Sequence, residues 1–196
     1  TSLLQTLPVP EISNGLAEIV KHGLIKDAGM LEFIESNRKK ALDLDPDTIF
    51  RLVADSVKIK SEVVQQDEKE AGERRKLNFG HTIGHAIEKI EQEKTGQAGH
   101  GRAVSMGMAA AALFSEQKGF ITGQDVQRIT SLLNDLNLPT GLNFDAKQII
   151  RAAGKDKKKQ GSDLFYVFLE KIGQARVEKI PFQEMNRFIQ SAFSQD

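Results

Sequence analysis

Hydrophobic residues recur every three or four positions along most of the chain, which is the period of an amphipathic α-helix. Leu16, Ile19, Val20 and Leu24 form one such stripe. Together with the glycine, proline and capping residues that interrupt it, this pattern predicts a series of helices joined by short loops. The helices are expected at about residues 12–27, 29–41, 48–68, 78–94, 102–118, 122–136, 145–153 and 182–193, with a break at 70–73 and a loop at 96–101.

Strand character is concentrated near the C-terminus. Residues 164–169 read Leu-Phe-Tyr-Val-Phe-Leu, and residues 175–179 are predicted to pair with them as a hairpin across 171–173. The sequence contains neither a series of alternating strands and helices nor a Gly-x-Gly-x-x-Gly turn after a strand. We therefore expect one mainly α-helical domain over residues 1–196 with a small β-hairpin, and no dinucleotide-binding domain in this chain.

Composition narrows the choice of partners and cofactors. The 196 residues are 39% hydrophobic, and Lys plus Arg equals Asp plus Glu at 27 each, so no net charge favours nucleic acid or a membrane surface. The chain has no cysteine, which excludes disulfides and thiolate zinc sites. No apolar run is long enough to span a membrane, and the N-terminus lacks a signal-peptide pattern. An intracellular, cytoplasmic protein without nucleic-acid or membrane partners is expected.

The segment from residue 74 to residue 88 concentrates metal-binding and anion-binding side chains. His81 and His85 are four residues apart, so a helix would place both on one face, as in zinc-binding helices. The same spacing also suits two partly buried histidines in a glycine-assisted helix contact. Spacing alone does not decide between these interpretations.

Two further residues extend a possible metal site. Glu18 lies inside an apolar helical run, where a carboxylate is costly unless it is paired or bound to a metal. It would otherwise pair with Lys21 or face water. His100 lies in a glycine-rich loop and would, taken alone, be an ordinary surface histidine. Catalytic zinc without cysteine commonly uses two histidines and one glutamate, a set that Glu18 and His81 would complete with either His100 or His85.

Several cations are candidates for binding an anionic substrate. Arginine binds carboxylate or phosphate through two parallel hydrogen bonds, and lysine binds it as a point charge. Lys60, Arg74 and the lysine-rich loop at residues 155–159 are candidates, although each also suits a solvated surface.

Five segments, taken in order, resemble the C-terminal domain of the 3-dehydroquinate synthase family. They are residues 4–8 (Leu-Gln-Thr-Leu-Pro), 15–23 (Gly-Leu-Ala-Glu-Ile-Val-Lys-His-Gly), 77–86 (Leu-Asn-Phe-Gly-His-Thr-Ile-Gly-His-Ala), 100–108 (His-Gly-Arg-Ala-Val-Ser-Met-Gly-Met) and 156–158 (Asp-Lys-Lys). The combination is specific, although no single segment is. Arg102 departs from the glutamate that the family often has there, at a position that is not a ligand.

The resemblance implies a role for each candidate residue. Glu18, His81 and His100 would bind Zn²⁺ or Co²⁺, and His85 would contact substrate and handle a proton instead of binding metal. Substrate carboxylate and hydroxyl groups would be held by Lys21, Lys60, Arg74 and Asn78, with Lys21 also able to shuttle a proton. Asn78 and either Lys157 or Lys158 would hold phosphate. Leu3, Leu4, Gln5 and Thr6 would form a short NAD-contacting segment.

The same resemblance implies the reaction. An intact enzyme of this family converts 3-deoxy-arabino-heptulosonate 7-phosphate into 3-dehydroquinate and phosphate, a step of the shikimate pathway to chorismate and aromatic amino acids. NAD accepts a hydride from a ring carbinol and returns it later. Family members are typically homodimers. This chain begins about where their N-terminal NAD-binding domain ends, so we expect a C-terminal half that is inactive alone.

Other functions remain open from the sequence. A related sugar phosphate cyclase that makes an inosose, valiolone or aminodehydroquinate product would share the metal ligands and NAD. A metal-dependent alcohol or glycerol dehydrogenase would lack the anion-binding set. A non-catalytic helical interaction domain would bind no metal.

Overall fold

The computed structural model describes residues 2–70, 72–96, 99–155 and 163–193, and within these ranges the chain is mainly helical. The α-helices are α1 (Val9–Lys26), α2 (Ala28–Leu42), α3 (Pro46–Gln66), α4 (His81–Thr95), α5 (His100–Gln117), α6 (Gly123–Asp135), α7 (Ala146–Lys155) and α8 (Phe182–Ala192). Two 3₁₀ helices cover Ser2–Thr6 and Glu73–Asn78. Strands β1 (Asp163–Lys171) and β2 (Gln174–Pro181) pair antiparallel. The predicted mainly α fold with a small hairpin is confirmed.

Helix α5 is the central element of the core. Thirteen of its 18 residues are buried, and many are alanine or glycine, so neighbouring helices pack close to its backbone. The hairpin covers its C-terminal half, where the Ser115 hydroxyl accepts a hydrogen bond of 3.0 Å from the backbone N–H of Leu169. Phe114 stacks on Phe188 of α8 with ring centroids 4.2 Å apart. This packing fixes α5 against the rest of the chain.

Glycines allow α4 and α1 to approach α5 at backbone distance. A methyl group added at Gly107 would lie 2.0 Å from the carbonyl oxygen of Gly80, and one added at Gly101 would lie 2.4 Å from the Cα of Asn14. Real Cβ atoms do not come this close to backbone, so only glycine fits at either position. Gly107 thereby allows the start of α4, which carries His81, to lie against α5, and Gly101 allows the first turn of α5, which carries His100, to lie against α1.

Two boundaries near the histidines differ from the sequence prediction. The helix expected from residue 78 begins at His81, because residues 73–78 form a 3₁₀ helix and Gly80 takes a left-handed conformation with φ of 78°. The loop expected through residue 101 ends earlier, because α5 begins at His100. Both histidines are therefore first residues of helices. Glycine removes the steric penalty of the left-handed turn that redirects the chain at residue 80.

In the part of the chain that the structure describes, no helix combines the length and the apolar character needed to cross a membrane.

Candidate metal centre and anion pocket

Three side chains from three different helices converge at one point. Glu18 lies in the middle of α1, His81 opens α4 and His100 opens α5. One potential ligand atom from each residue lies within 4.8 Å of the other two. The predicted set of one carboxylate and two imidazoles is thus assembled from distant parts of the sequence.

The orientation of the His81 ring favours metal binding. Its Nδ1 lies 3.1 Å from the carbonyl oxygen of Phe79, and because a carbonyl can only accept, Nδ1 carries the proton. Burial, with the nearby Lys21 ammonium, lowers the pKa of His81 to about 4 against the opposing hydrogen bond to Phe79. The ring is therefore neutral at pH 7, and Nε2 presents a lone pair. Ligating histidines commonly have their other N–H held by such an acceptor.

That lone pair faces an oxygen that also lacks a donor. His81 Nε2 lies 3.6 Å from Glu18 Oε1, which is buried and has no hydrogen-bond partner among the described residues. With His81 neutral, the contact is between two acceptors and is not an ion pair. Tetrahedral zinc with bonds of about 2.1 Å separates its ligand atoms by roughly 3.4 Å. A divalent cation between these atoms would satisfy both, so the residues present fit a zinc-like metal.

The second oxygen of Glu18 is bound to a buried lysine. Lys21 Nζ donates to Glu18 Oε2 over 2.6 Å. Burial acts to raise the pKa of Glu18, but the Lys21 ammonium and its hydrogen bond hold this pKa below its usual value. Burial lowers the pKa of Lys21, and Glu18 opposes that shift. Glu18 is therefore a carboxylate with one oxygen paired and one oxygen available.

His85 belongs to a different arrangement. Its ring centroid lies 5.1 Å from that of His81, and its ligand atom groups with those of Glu88 and His100. Among the described residues, no potential metal-binding group joins His85 to Glu18. Of the two sets that the sequence left open, the geometry supports the one that contains His100.

A cavity of about 230 Å³ is lined by two of the three converging residues, Glu18 and His81, and by most of the predicted substrate-binding side chains. It is lined by Glu18, Lys21, His22, Lys60, Glu70, Arg74, Leu77, Asn78 and His81. Three of these side chains are cationic, namely Lys21, Lys60 and Arg74. Two carboxylates, Glu18 and Glu70, also line the cavity, and Lys21 is paired with Glu18. Lys60 and Arg74 beside the candidate metal position leave an excess of positive charge, an arrangement suited to an anionic ligand.

Two lining residues were missed by the sequence analysis. Glu70 accepts a hydrogen bond of 2.8 Å from the Asn78 side chain and has φ of 56°, which is uncommon for a residue with a side chain. His22 is buried with its Nδ1 2.7 Å from Ser56 Oγ, and burial beside Lys21 lowers its pKa to about 4. Glu70 lies in a predicted break, and His22 directly follows Lys21, a predicted substrate-binding residue. No pattern in the sequence marked either residue as part of the site.

The remaining predicted residues stay predictions. Leu4, Gln5 and Thr6 form part of the first 3₁₀ helix, and Leu4 lines an apolar groove of about 290 Å³ that also reaches Glu18. Leu3 lies in the same helix. Lys157 and Lys158 fall outside the described residues.

Comparison with known proteins identifies the family. The family model described as 3-dehydroquinate synthase C-terminal matches residues 15–159. The chain belongs to this family. The match contains all three converging residues and every described cation of the pocket.

Curated relatives carry the same name. The 3-dehydroquinate synthase of Caulobacter vibrioides is 44% identical over 184 residues, covering 90% of this chain and 49% of the relative. That of Thermoanaerobacter pseudethanolicus is 39% identical over 188 residues, covering 94% of this chain and 52% of the relative. The chain thus spans about half the length of these 3-dehydroquinate synthases.

Solved structures support the fold. A 2-epi-5-epi-valiolone synthase from Streptomyces hygroscopicus, with NAD⁺ and Zn²⁺ bound, superimposes with a TM-score of 0.83 at 23% identity, covering 100% of this chain and 54% of that one. A 2-deoxy-scyllo-inosose synthase complexed with carbaglucose-6-phosphate, NAD⁺ and Co²⁺ gives 0.77 at 24% identity, covering 95% and 54%. At this level of identity the likeness concerns the fold.

Proposed function

We propose that this chain is the metal- and substrate-binding half of a 3-dehydroquinate synthase. The intact enzyme would convert 3-deoxy-arabino-heptulosonate 7-phosphate into 3-dehydroquinate and phosphate as a phosphate-eliminating lyase, with NAD bound mainly by the other half of the protein. The observation that carries the proposal is the convergence of Glu18, His81 and His100 beside a cation-lined cavity. Identities of 37–44% to 3-dehydroquinate synthases favour this product over those of related cyclases. The family resemblance also supports a cytoplasmic homodimer for the full-length enzyme.

Each part of the site has a distinct task in this proposal. Glu18, His81 and His100 would hold Zn²⁺ or Co²⁺, which supplies Lewis-acid stabilisation of developing negative charge on a substrate oxygen. Lys60 and Arg74 would bind the substrate carboxylate and orient the reacting carbons. Arg74 already has one guanidinium nitrogen, Nη1, bound to the carbonyl of Glu68 at 2.8 Å, which anchors the side chain and leaves other donors available.

Proton handling would fall to side chains beside the metal position. Lys21 has a lowered pKa, so it releases a proton more readily than an exposed lysine and can exchange one with a substrate hydroxyl. The exposed His85 ring would contact substrate and accept or return a proton. Asn78, with Lys157 or Lys158, would hold the phosphate group until it leaves. The segment Leu3 to Thr6 would contact NAD.

We expect the 196-residue chain alone to form no 3-dehydroquinate when supplied with substrate, NAD and zinc, because NAD, the hydride acceptor, would be held mainly by the half of the enzyme that this chain does not span. The measurement is an assay of phosphate release and 3-dehydroquinate formation, with the full-length enzyme as the positive control. Turnover by the isolated chain would contradict the proposal that NAD is bound mainly by the other half of the enzyme. Failure of the full-length enzyme with this substrate, together with turnover of a different sugar phosphate, would assign another cyclase activity.

A matched pair of lysines on α3 tests the proposed carboxylate site. Lys60 lines the cavity, whereas Lys58 is exposed two residues away and does not line it. A hydrogen bond to a charged group contributes roughly 1.5–3 kcal/mol, so Lys60→Ala should lower kcat/KM by about 10- to 100-fold. Lys58→Ala removes the same charge from the same helix and should leave kcat/KM nearly unchanged. Equal losses in the two variants would point to a general field effect and contradict a specific contact.

A further inference from the structure

A carboxylate outside the three converging residues contacts one of them directly. Glu88 lies on α4, two helical turns beyond His81, and accepts from the His100 ring. His100 Nδ1 lies 3.2 Å from Glu88 Oε1 and 3.4 Å from Oε2. This contact joins residue 88 of one helix to the first residue of the next, across the gap between α4 and α5.

The contact selects one form of the His100 ring. A carboxylate at neutral pH only accepts hydrogen bonds, so the proton of a neutral His100 must be on Nδ1 when it faces Glu88. The lone pair then lies on Nε2. His81 shows the same arrangement, with Nδ1 donating to the Phe79 carbonyl. Both imidazoles thus have one nitrogen held by an acceptor and the other left for a ligand.

We propose that Glu88 is a positioning residue of the metal centre, which holds the Nδ1–H of His100 so that Nε2 binds the ion. The inference rests on the metal site proposed above and assigns a function to a residue outside the ligand set. His100 has greater need of such support than His81, because about 49% of its side chain is exposed whereas His81 is 13% exposed. Packing alone does not fix an exposed ring at the start of a helix, so its orientation depends on the hydrogen bond to Glu88.

The alternative is that Glu88 is itself a ligand. His85, Glu88 and His100 also have potential ligand atoms within 4.8 Å of one another. The two arrangements make opposite predictions for Glu18 and Glu88. If Glu88 positions His100, metal binding requires Glu18, and loss of Glu88 only weakens the affinity. If Glu88 is a ligand, metal binding requires Glu88, and loss of Glu18 leaves the affinity unchanged.

The first test is zinc affinity of the full-length protein, measured by competition with a chromophoric chelator. Loss of an outer partner of a ligating histidine typically weakens metal binding by about 10- to 100-fold. We expect that loss for Glu88→Ala, and a smaller one for Glu88→Gln, whose amide oxygen still accepts from Nδ1–H. Glu93→Gln, an exposed position on the same helix, is the matched control and should leave the affinity unchanged.

The second test does not require metal. In the metal-free full-length protein with ¹⁵N-labelled histidine, NMR should show His100 protonated on Nδ1, and Glu88→Ala should shift this population towards the Nε2–H form. An unchanged tautomer and unchanged zinc affinity in Glu88→Ala would overturn the inference while leaving the metal site intact. Zinc binding that survives Glu18→Gln but is abolished by Glu88→Ala would instead make Glu88 a ligand. Absence of zinc binding in the unmodified protein would overturn the proposed metal site itself.

Discussion

Replacing His81 with alanine is expected to lower the zinc affinity of the full-length enzyme by about 100-fold or more and to abolish turnover. If three protein ligands share a binding free energy on the order of 10 kcal/mol, the loss of one removes roughly 3 kcal/mol, a factor of about 100. His81 is also the residue whose lone pair faces the unpaired oxygen of Glu18 at 3.6 Å. The measurement is bound zinc after gel filtration, followed by titration against a chelator of known affinity.

The control for this variant lies one helical turn away. His85→Ala removes an imidazole from the same face of α4, but His85 is exposed and, within the part of the chain that the structure describes, shares no potential metal-binding group with Glu18. It should therefore retain zinc and lose turnover, which would separate proton handling from ligation. If His85→Ala released zinc as completely as His81→Ala, the assignment of ligands would be wrong. If the unmodified full-length protein bound no zinc and His81→Ala changed nothing, the non-catalytic interpretation of the chain would be favoured.

The periodicity of the sequence predicted most helices to within a few residues, because buried positions dominate their pattern. It did not predict the first residues of α4 and α5, which carry two of the candidate metal ligands. Gly80 and Gly99 each precede a histidine that begins a helix, and local periodicity did not reveal that these helices begin at His81 and His100. A helix start is set by capping and by the tertiary contact of its first turn, which residue spacing does not encode.

The candidate metal ligands, too, could be predicted from the sequence only in part. The i, i+4 spacing of His81 and His85 suggested a shared metal, but which two imidazoles converge with Glu18 depends on how α4 lies against α5. For Glu18 the sequence offered either pairing with Lys21 or a metal, and the structure allows both, since Oε2 accepts from Lys21 while Oε1 has no partner. Glu70 could not be found from the sequence, because its place in the cavity follows from a left-handed residue in a segment without periodicity.

The contact between α4 and α5 should therefore be decisive for both stability and metal binding, and Gly107→Ala is its sharpest test. The added methyl would lie 2.0 Å from the carbonyl oxygen of Gly80 and 2.7 Å from the backbone nitrogen of Gly84. Both are backbone atoms, so no change of rotamer relieves the overlap and the helices must separate. Overpacking of this kind costs about 1–3 kcal/mol or more. For a domain of this size we expect the Tm to fall by roughly 2–12 °C.

Separation of the helices would also move the two histidine ligands apart, because Gly80 immediately precedes His81 on one side of the contact and α5 carries His100 on the other. Gly107→Ala should therefore weaken zinc binding even though residue 107 lies two helical turns beyond His100 and is not itself a ligand. Gly15→Ala is the matched control: it lies within α1, and an added methyl meets nothing within 4 Å. Removing a helical glycine there should be neutral or stabilise the fold by about 0.5–1 kcal/mol. Thermal unfolding and zinc titration of the two variants would measure both effects. If Gly107→Ala matched Gly15→Ala in Tm and in zinc affinity, close contact between α4 and α5 would not set the geometry of the site.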